Sequence, residues 1–261
     1  MTILKHELRQ GKTAFLIWTA SIAFLLVTCI FLFPEMQEEM DAVGEIFASM
    51  GSFTAAFGMD RLSFGTLLGF YSVECGNILG LGGAFFASLI GVSSLAKEEK
   101  EKTAEFLLTH PISRMRVVTE KLAAILVQIT VMNLIVFAVS LLCVNMIGES
   151  IPWKELFLIH GAYYLLELEL ACICFGISAF LRWGGVGIGM GLSALMYFLN
   201  LIANMTEHAK FLKYITPFGY CEGADILSDG ALNLAYVAVG ILFACLGVTA
   251  AYLQYGKKDI R

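Results

Sequence analysis

The chain has 261 residues, of which 58% are hydrophobic and 15% charged, and its mean hydropathy is +0.78. Soluble domains carry about 25% charged residues, so this composition excludes an ordinary soluble enzyme and indicates a protein embedded in a membrane over most of its length. The net charge of −5 gives no indication of a nucleic-acid partner. The seven cysteines form no Cys-x-x-Cys pair, so neither a disulfide framework nor a metal site is predicted.

Six apolar segments are long enough to cross a bilayer, which takes about 20 residues. The sequence therefore predicts an all-α integral membrane protein with a single transmembrane domain over residues 1–261. The predicted spans are residues 14–33, 67–96, 122–147, 156–181, 186–204 and 231–252.

Lysine and arginine are distributed unequally between the two sides of this topology. If the N-terminus is placed in the cytoplasm, 13 of the 17 basic residues lie on the cytoplasmic side. An excess of Lys and Arg in short cytoplasmic segments sets the orientation of membrane proteins. Both termini and the connection 97–121 are therefore predicted to be cytoplasmic.

Residues 1–13, with the sequence MTILKHELRQGKT, place Lys5, Arg9 and Lys12 on one helical face. This pattern predicts an amphipathic interfacial helix on the inner leaflet, or alternatively a basic flank of the first span. The Gly-Lys-Thr at 11–13 resembles the end of a phosphate-binding loop. However, His6 stands where that motif needs glycine, so no ATP hydrolysis by this route is predicted.

The connection 97–121 reads KEEKEKTAEFLLTHPISRMRVVTEK. Pro111 disfavours helix at His110, and Ser113 can cap a new helix that runs into the third span. The predicted result is two helices separated by a turn with an apolar tip formed by Phe106, Leu107, Leu108 and Ile112. Such a tip needs burial, either against the inner leaflet and the protein's own helices or in a groove on a partner protein.

The same stretch resembles the cytoplasmic signature of type-2 ABC exporter permeases, E-x-G-T-x-E-x-L-L-x-x-P-[IV]-S-R followed by a helix with Lys. It matches at Glu99 or Glu101, Thr103, Glu105, Leu107, Leu108, Pro111, Ile112, Ser113, Arg114 and Lys121, whereas Lys102 stands where the pattern has glycine. The resemblance implies that 97–121 contains a cytoplasmic coupling helix that docks on a separate ATP-binding subunit. The coupling residues implied are Thr103, Glu105, Phe106, Leu107, Leu108, Pro111, Ile112, Ser113 and Arg114.

The resemblance further implies a non-catalytic permease in the cell membrane, multi-pass and bacterial, that exports a substrate by alternating access. ATP and Mg²⁺ would bind two copies of the partner ATPase, with no cofactor on this chain. A second permease, the same chain or a related one, would complete the transporter. Peptides, drugs, lipids and sodium are all compatible as substrates.

Four polar residues in the predicted spans are candidates for a pathway or a dimer interface: Glu74, Asn77, Glu167 and Glu169. Glu74 and Asn77 lie one turn apart and can face inward together, as pathway groups or as hydrogen-bonded packing residues. Glu167 and Glu169 point about 200° apart, so they cannot both face one cavity. The alternative functions are an ion-coupled carrier or channel that uses these glutamates without an ATPase, and a non-transporting scaffold.

Glycines recur at four-residue spacing, which lets membrane helices approach closely. The pairs are Gly65/Gly69, Gly76/Gly80 and Gly187/Gly191. The pattern predicts either packing within the bundle or a seam between two permeases.

Overall fold

The structure is a computed structural model that describes residues 2–49, 51–59, 61–97, 113–182 and 185–257. Every regular element in those ranges is helical. Six helices are long and apolar enough to cross a membrane, as the sequence predicted: α1 (Thr2–Ser49), α3 (Leu67–Ser93), α4 (Arg114–Met146), α5 (Trp153–Ser178), α6 (Val186–Met205) and α8 (Leu234–Lys257). Their connections contain the short helices α2 (Ser52–Ala56) and α7 (Gly223–Asp229), and 3-10 turns at Glu207–Tyr214 and Pro217–Tyr220.

The first helix is continuous where the sequence suggested two elements. The predicted boundary after residue 13 is absent, because no proline interrupts the helix before Pro34 and the one glycine before that proline, Gly11, is tolerated within the helix. Ile3 and Glu7 are buried against the bundle, so one face of this N-terminal part packs on protein. The position of this segment relative to the inner leaflet stays a prediction.

The capping residues explain two helix starts. Ser113 Oγ accepts a hydrogen bond from Arg116 N at 3.3 Å, which confirms the predicted cap of α4. Asn233 Oδ1 accepts from Ala235 N at 3.0 Å, and α8 therefore begins at Leu234, three residues later than predicted.

Helix α3 contains two π-helical turns that the sequence analysis did not predict, Tyr71–Cys75 and Ile78–Gly82. Each wider turn changes the direction in which the following side chains point. As a consequence, spacing along an ideal α-helix is a poor guide to which residues of α3 share a face.

Helices α3 and α5 form the centre of the bundle, with α6 packed on α3, α8 on α5 and α1 on α4. Gly76 and Gly80 lie against the ring of Tyr163 on α5, where a Cβ atom would come within 2.7 and 2.9 Å of that side chain. This pair therefore allows close packing within one chain. A Cβ on Gly69 would strike the backbone of Ser63, in the chain entering α3.

The third glycine pair differs, since a Cβ on Gly187 or Gly191 would meet nothing within 4 Å. Helix α6 also exposes large apolar side chains, as do α1 and α8. Such faces suit contact with lipid or with another membrane helix. The exposed residues on α6 include Ile188, Leu195, Phe198 and Ile202.

Candidate sites at both ends and in the centre of the bundle

Glu7 of α1 contacts the segment that follows α3 and also helix α4, at the end of the bundle that carries both stems of the 98–112 segment. Its carboxylate pairs with Lys97 Nζ through Oε2 and with Lys121 Nζ at 3.0 Å through Oε1. The side chain of Lys121 is 0% exposed, and its Nζ also donates to the carbonyl of Ser94 at 2.6 Å. Because Lys97 ends the described part before this segment and Lys121 follows it, Glu7 connects both stems to α1.

A second carboxylate ties the start of α1 to the start of α4. Glu120 Oε2 accepts hydrogen bonds from Ile3 N at 3.0 Å and Leu4 N at 3.1 Å, while Oε1 pairs with Arg116 Nε at 2.9 Å. The N-terminal N–H groups of a helix lack partners within the helix and carry partial positive charge, so a carboxylate there is favourable. The N-terminal helix is therefore anchored to α4 at two consecutive turns.

Most of the implied coupling residues fall outside the described residues: Thr103, Glu105, Phe106, Leu107, Leu108, Pro111 and Ile112. Two are described. Ser113 caps α4, and Arg114 Nη1 donates to the carbonyl of Gly256 in α8 at 3.4 Å. Their docking role stays a prediction, and Arg114 also has a partner inside the chain.

The basic residues of 1–13 gave no indication of the contacts that Glu7 makes. The available signal was that Glu7 is the single acidic residue in MTILKHELRQGKT. In the structure this single acidic side chain neutralises a buried lysine, Lys121.

The intramembrane glutamates contact different neighbours. Glu167 Oε2 accepts from Asn133 Nδ2 of α4 at 2.7 Å, and Glu169 Oε2 accepts from Tyr220 Oη at 2.9 Å. Both side chains are buried. The two carboxylates therefore accept hydrogen bonds from different elements, α4 and the Pro217–Tyr220 turn.

Asn77 and Glu74 share no hydrogen-bond partner among the described contacts. Asn77 Oδ1 accepts from Tyr197 Oη of α6 at 2.9 Å, and its Nδ2 donates to Val73 O at 2.8 Å. Asn77 lines a small polar cavity of about 40 Å³ between α3, α5, α6 and the Pro217–Tyr220 turn, which Glu74 does not line. Ser72 Oγ and Asn200 Oδ1 at this cavity have no hydrogen-bond partner within the described residues, and its volume is enough for a water molecule.

A charged cluster lies beside this cavity, at the end of the bundle opposite Glu7. Asp225 binds Arg61 Nη1 at 2.5 Å and Lys213 Nζ at 3.0 Å, and Glu222 Oε2 accepts from Asn204 Nδ2 at 2.6 Å. Burial raises the pKa of Glu222, and this exceeds the lowering by nearby Lys213. Burial also acts to raise the pKa of Asp225, but its bonds to Arg61 and Lys213 hold the pKa below its usual range.

Glu222→Gln should raise thermal stability at pH 8 and change it little at pH 4. A carboxyl whose pKa is raised on folding binds its proton more tightly in the folded state. Its favourable contribution is full below the unfolded pKa, about 4.3, and is lost as pH rises through the folded value. Glutamine imitates the protonated form, so the melting temperature of the variant minus that of the wild type should grow with pH. Glu207→Gln, at a side chain that is 80% exposed, serves as the control, and equal pH trends in both variants would contradict the assignment.

A buried hydrogen-bond chain in the membrane region was also missed, because it joins three distant helices. His160 Nε2 lies 2.6 Å from Tyr71 Oη, which donates to Ser140 Oγ at 2.9 Å. All three side chains are buried. Single polar residues in apolar runs carry no pairing information in the sequence.

The described elements define a polytopic α-helical membrane protein, with ionic contacts that link its helices at both ends. A family model described as "ABC-2 family transporter protein" matches residues 1–260. The chain belongs to this family, whose members are membrane transport subunits and are not themselves catalytic, in agreement with the resemblance found in 97–121. A comparison with curated protein sequences found no match.

Proposed function

We propose that this chain is the permease subunit of an ATP-driven exporter and moves its substrate across the cell membrane by alternating access. A separate ATP-binding subunit, present in two copies, hydrolyses ATP, and a second permease completes the pathway. Family membership over residues 1–260 is the observation that carries the proposal. The contacts of Glu7 support a route for transmission, because movement of either stem of 98–112 acts on Lys97 or Lys121 and through them on α1.

The test is purification of the full chain with its ATP-binding partner, followed by reconstitution into liposomes. We expect ATP hydrolysis by the complex and none by the permease alone. Movement of ions or solutes by the permease alone, without ATP, would favour the ion-coupled carrier instead.

Phe106→Asp should weaken binding of the ATP-binding subunit by more than about tenfold, since removal of a buried aromatic anchor from an interface costs about 2 kcal/mol or more. Thermal stability of the isolated permease should be unchanged. Binding is measured by titrating labelled ATPase onto permease in nanodiscs. Phe211→Asp is the matched control, because Phe211 is 62% exposed and lies at the opposite end of the bundle. Equal affinities of both variants would place the docking surface elsewhere.

A further inference from the structure

A groove of about 280 Å³ runs between α4 and α5. Its walls include Leu134 and Phe137 of α4 and Phe157 of α5, with His160 and Gly161 at its side. Leu134 and Phe157 are 63% and 68% exposed on helices that cross the membrane, so the groove opens toward the lipid phase.

The hydrogen-bond chain at His160 determines which ring nitrogen carries the proton. Ser140 Oγ uses its single proton to donate to Val136 O at 2.9 Å, so it must accept from Tyr71 Oη. Since the hydroxyl proton of Tyr71 lies in the hydrogen bond to Ser140, Tyr71 Oη must accept from His160 Nε2. The neutral ring therefore carries its proton on Nε2, and Nδ1 is an acceptor.

His160 Nδ1 has no hydrogen-bond partner in the described part of the chain, although the residue is only 6% exposed. A buried acceptor without a donor is unfavourable, and a ligand that supplies an O–H or N–H group relieves this. The ring of His160 borders the groove and contacts Phe137 edge-on at 4.9 Å between centroids.

We propose that this groove binds a neutral amphiphile dissolved in the bilayer. Its apolar body packs against Leu134, Phe137 and Phe157, and one O–H or N–H group donates to His160 Nδ1. Among the described residues that line the groove there is no Lys or Arg, so the groove offers no cationic partner to an anionic headgroup. The proposal is independent of ATP-driven transport, since binding is a property of this chain alone.

A second groove of the same chain provides an internal comparison. It lies between α5 and α8, has a volume of about 410 Å³, and is lined only by apolar side chains and glycines, among them Ile173, Phe243 and Leu246. A hydrocarbon chain can occupy it, but nothing there distinguishes a hydroxyl group from an ether.

The experiment uses the full chain in lipid nanodiscs with two photoreactive probes, a diazirine-bearing long-chain alcohol and its methyl ether. Cross-linked peptides are quantified by mass spectrometry. We expect the alcohol to label the α4–α5 groove about tenfold more than the ether, as one hydrogen bond to an otherwise unpaired buried acceptor provides. Labelling of the α5–α8 groove should be equal for both. Equal labelling of the α4–α5 groove by the two probes would overturn the proposal.

Two variants separate the hydrogen bond from the shape of the groove. His160→Phe keeps an aromatic ring beside the groove but has no acceptor, so the difference between alcohol and ether should disappear. Gly161→Leu fills the groove and should abolish labelling by both probes with stability retained, because a Cβ there meets nothing within 4 Å. Gly191→Leu, at an equally open position on α6, is the control. Unchanged labelling of folded Gly161→Leu would also overturn the proposal.

Discussion

Glu7→Ala should lower the free energy of unfolding by about 3–5 kcal/mol, the range expected when one partner of a buried ion pair is removed. Glu7 is 9% exposed and its carboxylate contacts both Lys97 and Lys121. The variant leaves the positive charge of the fully buried Lys121 side chain without this carboxylate. The measurement is unfolding of the purified chain by SDS titration in mixed micelles.

A double-mutant cycle isolates the pair. Lys121→Met replaces the ammonium by an apolar group of similar length, and the double variant Glu7→Ala/Lys121→Met should be less destabilised than the sum of the single changes by about 1–3 kcal/mol. Lys12→Met is the control, because Lys12 is exposed on the same helix and should change stability by no more than about 0.5 kcal/mol. Additive single effects would show that Glu7 and Lys121 do not interact.

Loss of the Glu7–Lys121 ion pair also tests the proposed transmission of movement to α1. If Glu7 carries movement from the stems of 98–112 to α1, the double variant Glu7→Ala/Lys121→Met should still bind the ATP-binding subunit but transport less substrate per ATP hydrolysed. Normal transport in that variant would restrict Glu7 to a structural role.

Gly176→Ala should destabilise the chain by about 1–3 kcal/mol, because its Cβ would lie 2.5 Å from Gly247 O and 2.9 Å from Gly247 Cα. Both atoms belong to the backbone of α8, so the two helices must separate to relieve the clash. Loss of this contact weakens packing along the α5–α8 interface, which closely spaced small residues make possible. Thermal unfolding in detergent measures the change.

Gly191→Ala is the matched substitution at an open position, in the interior of α6. It should be neutral or stabilising by up to about 1 kcal/mol, since alanine has the higher helix propensity. Equal destabilisation by both substitutions would contradict the assignment of Gly176 to a close helix contact.

Glycine spacing shows how far local pattern can predict packing. All three pairs have the same four-residue period, yet Gly76/Gly80 faces Tyr163, Gly69 faces the chain entering its own helix, and Gly187/Gly191 is open. Within a regular α-helix, the period specifies only that two glycines share a face. Which neighbour meets that face depends on the positions of the other helices.

The directions of polar side chains in the spans also depend on the local geometry of each helix. Opposite directions for Glu167 and Glu169 follow from helix geometry, and the two carboxylates accept hydrogen bonds from different partners. A common face for Glu74 and Asn77 assumes an ideal α-helix and stays a prediction. The π-turns of α3 depart from that geometry, and Asn77 accepts a hydrogen bond from Tyr197 at a cavity whose described lining does not include Glu74.

By itself the sequence determined the class of protein, the six spans, the cap at Ser113 and the resemblance of 97–121 to a coupling segment. These features depend on hydrophobic runs and on residues close together in the chain, so they can be read locally. Only the tertiary structure decided that Glu7 holds both Lys97 and Lys121, and that His160, Tyr71 and Ser140 form one chain. Such contacts join residues some 70 to 115 positions apart, and their energies depend on burial, which no local pattern specifies.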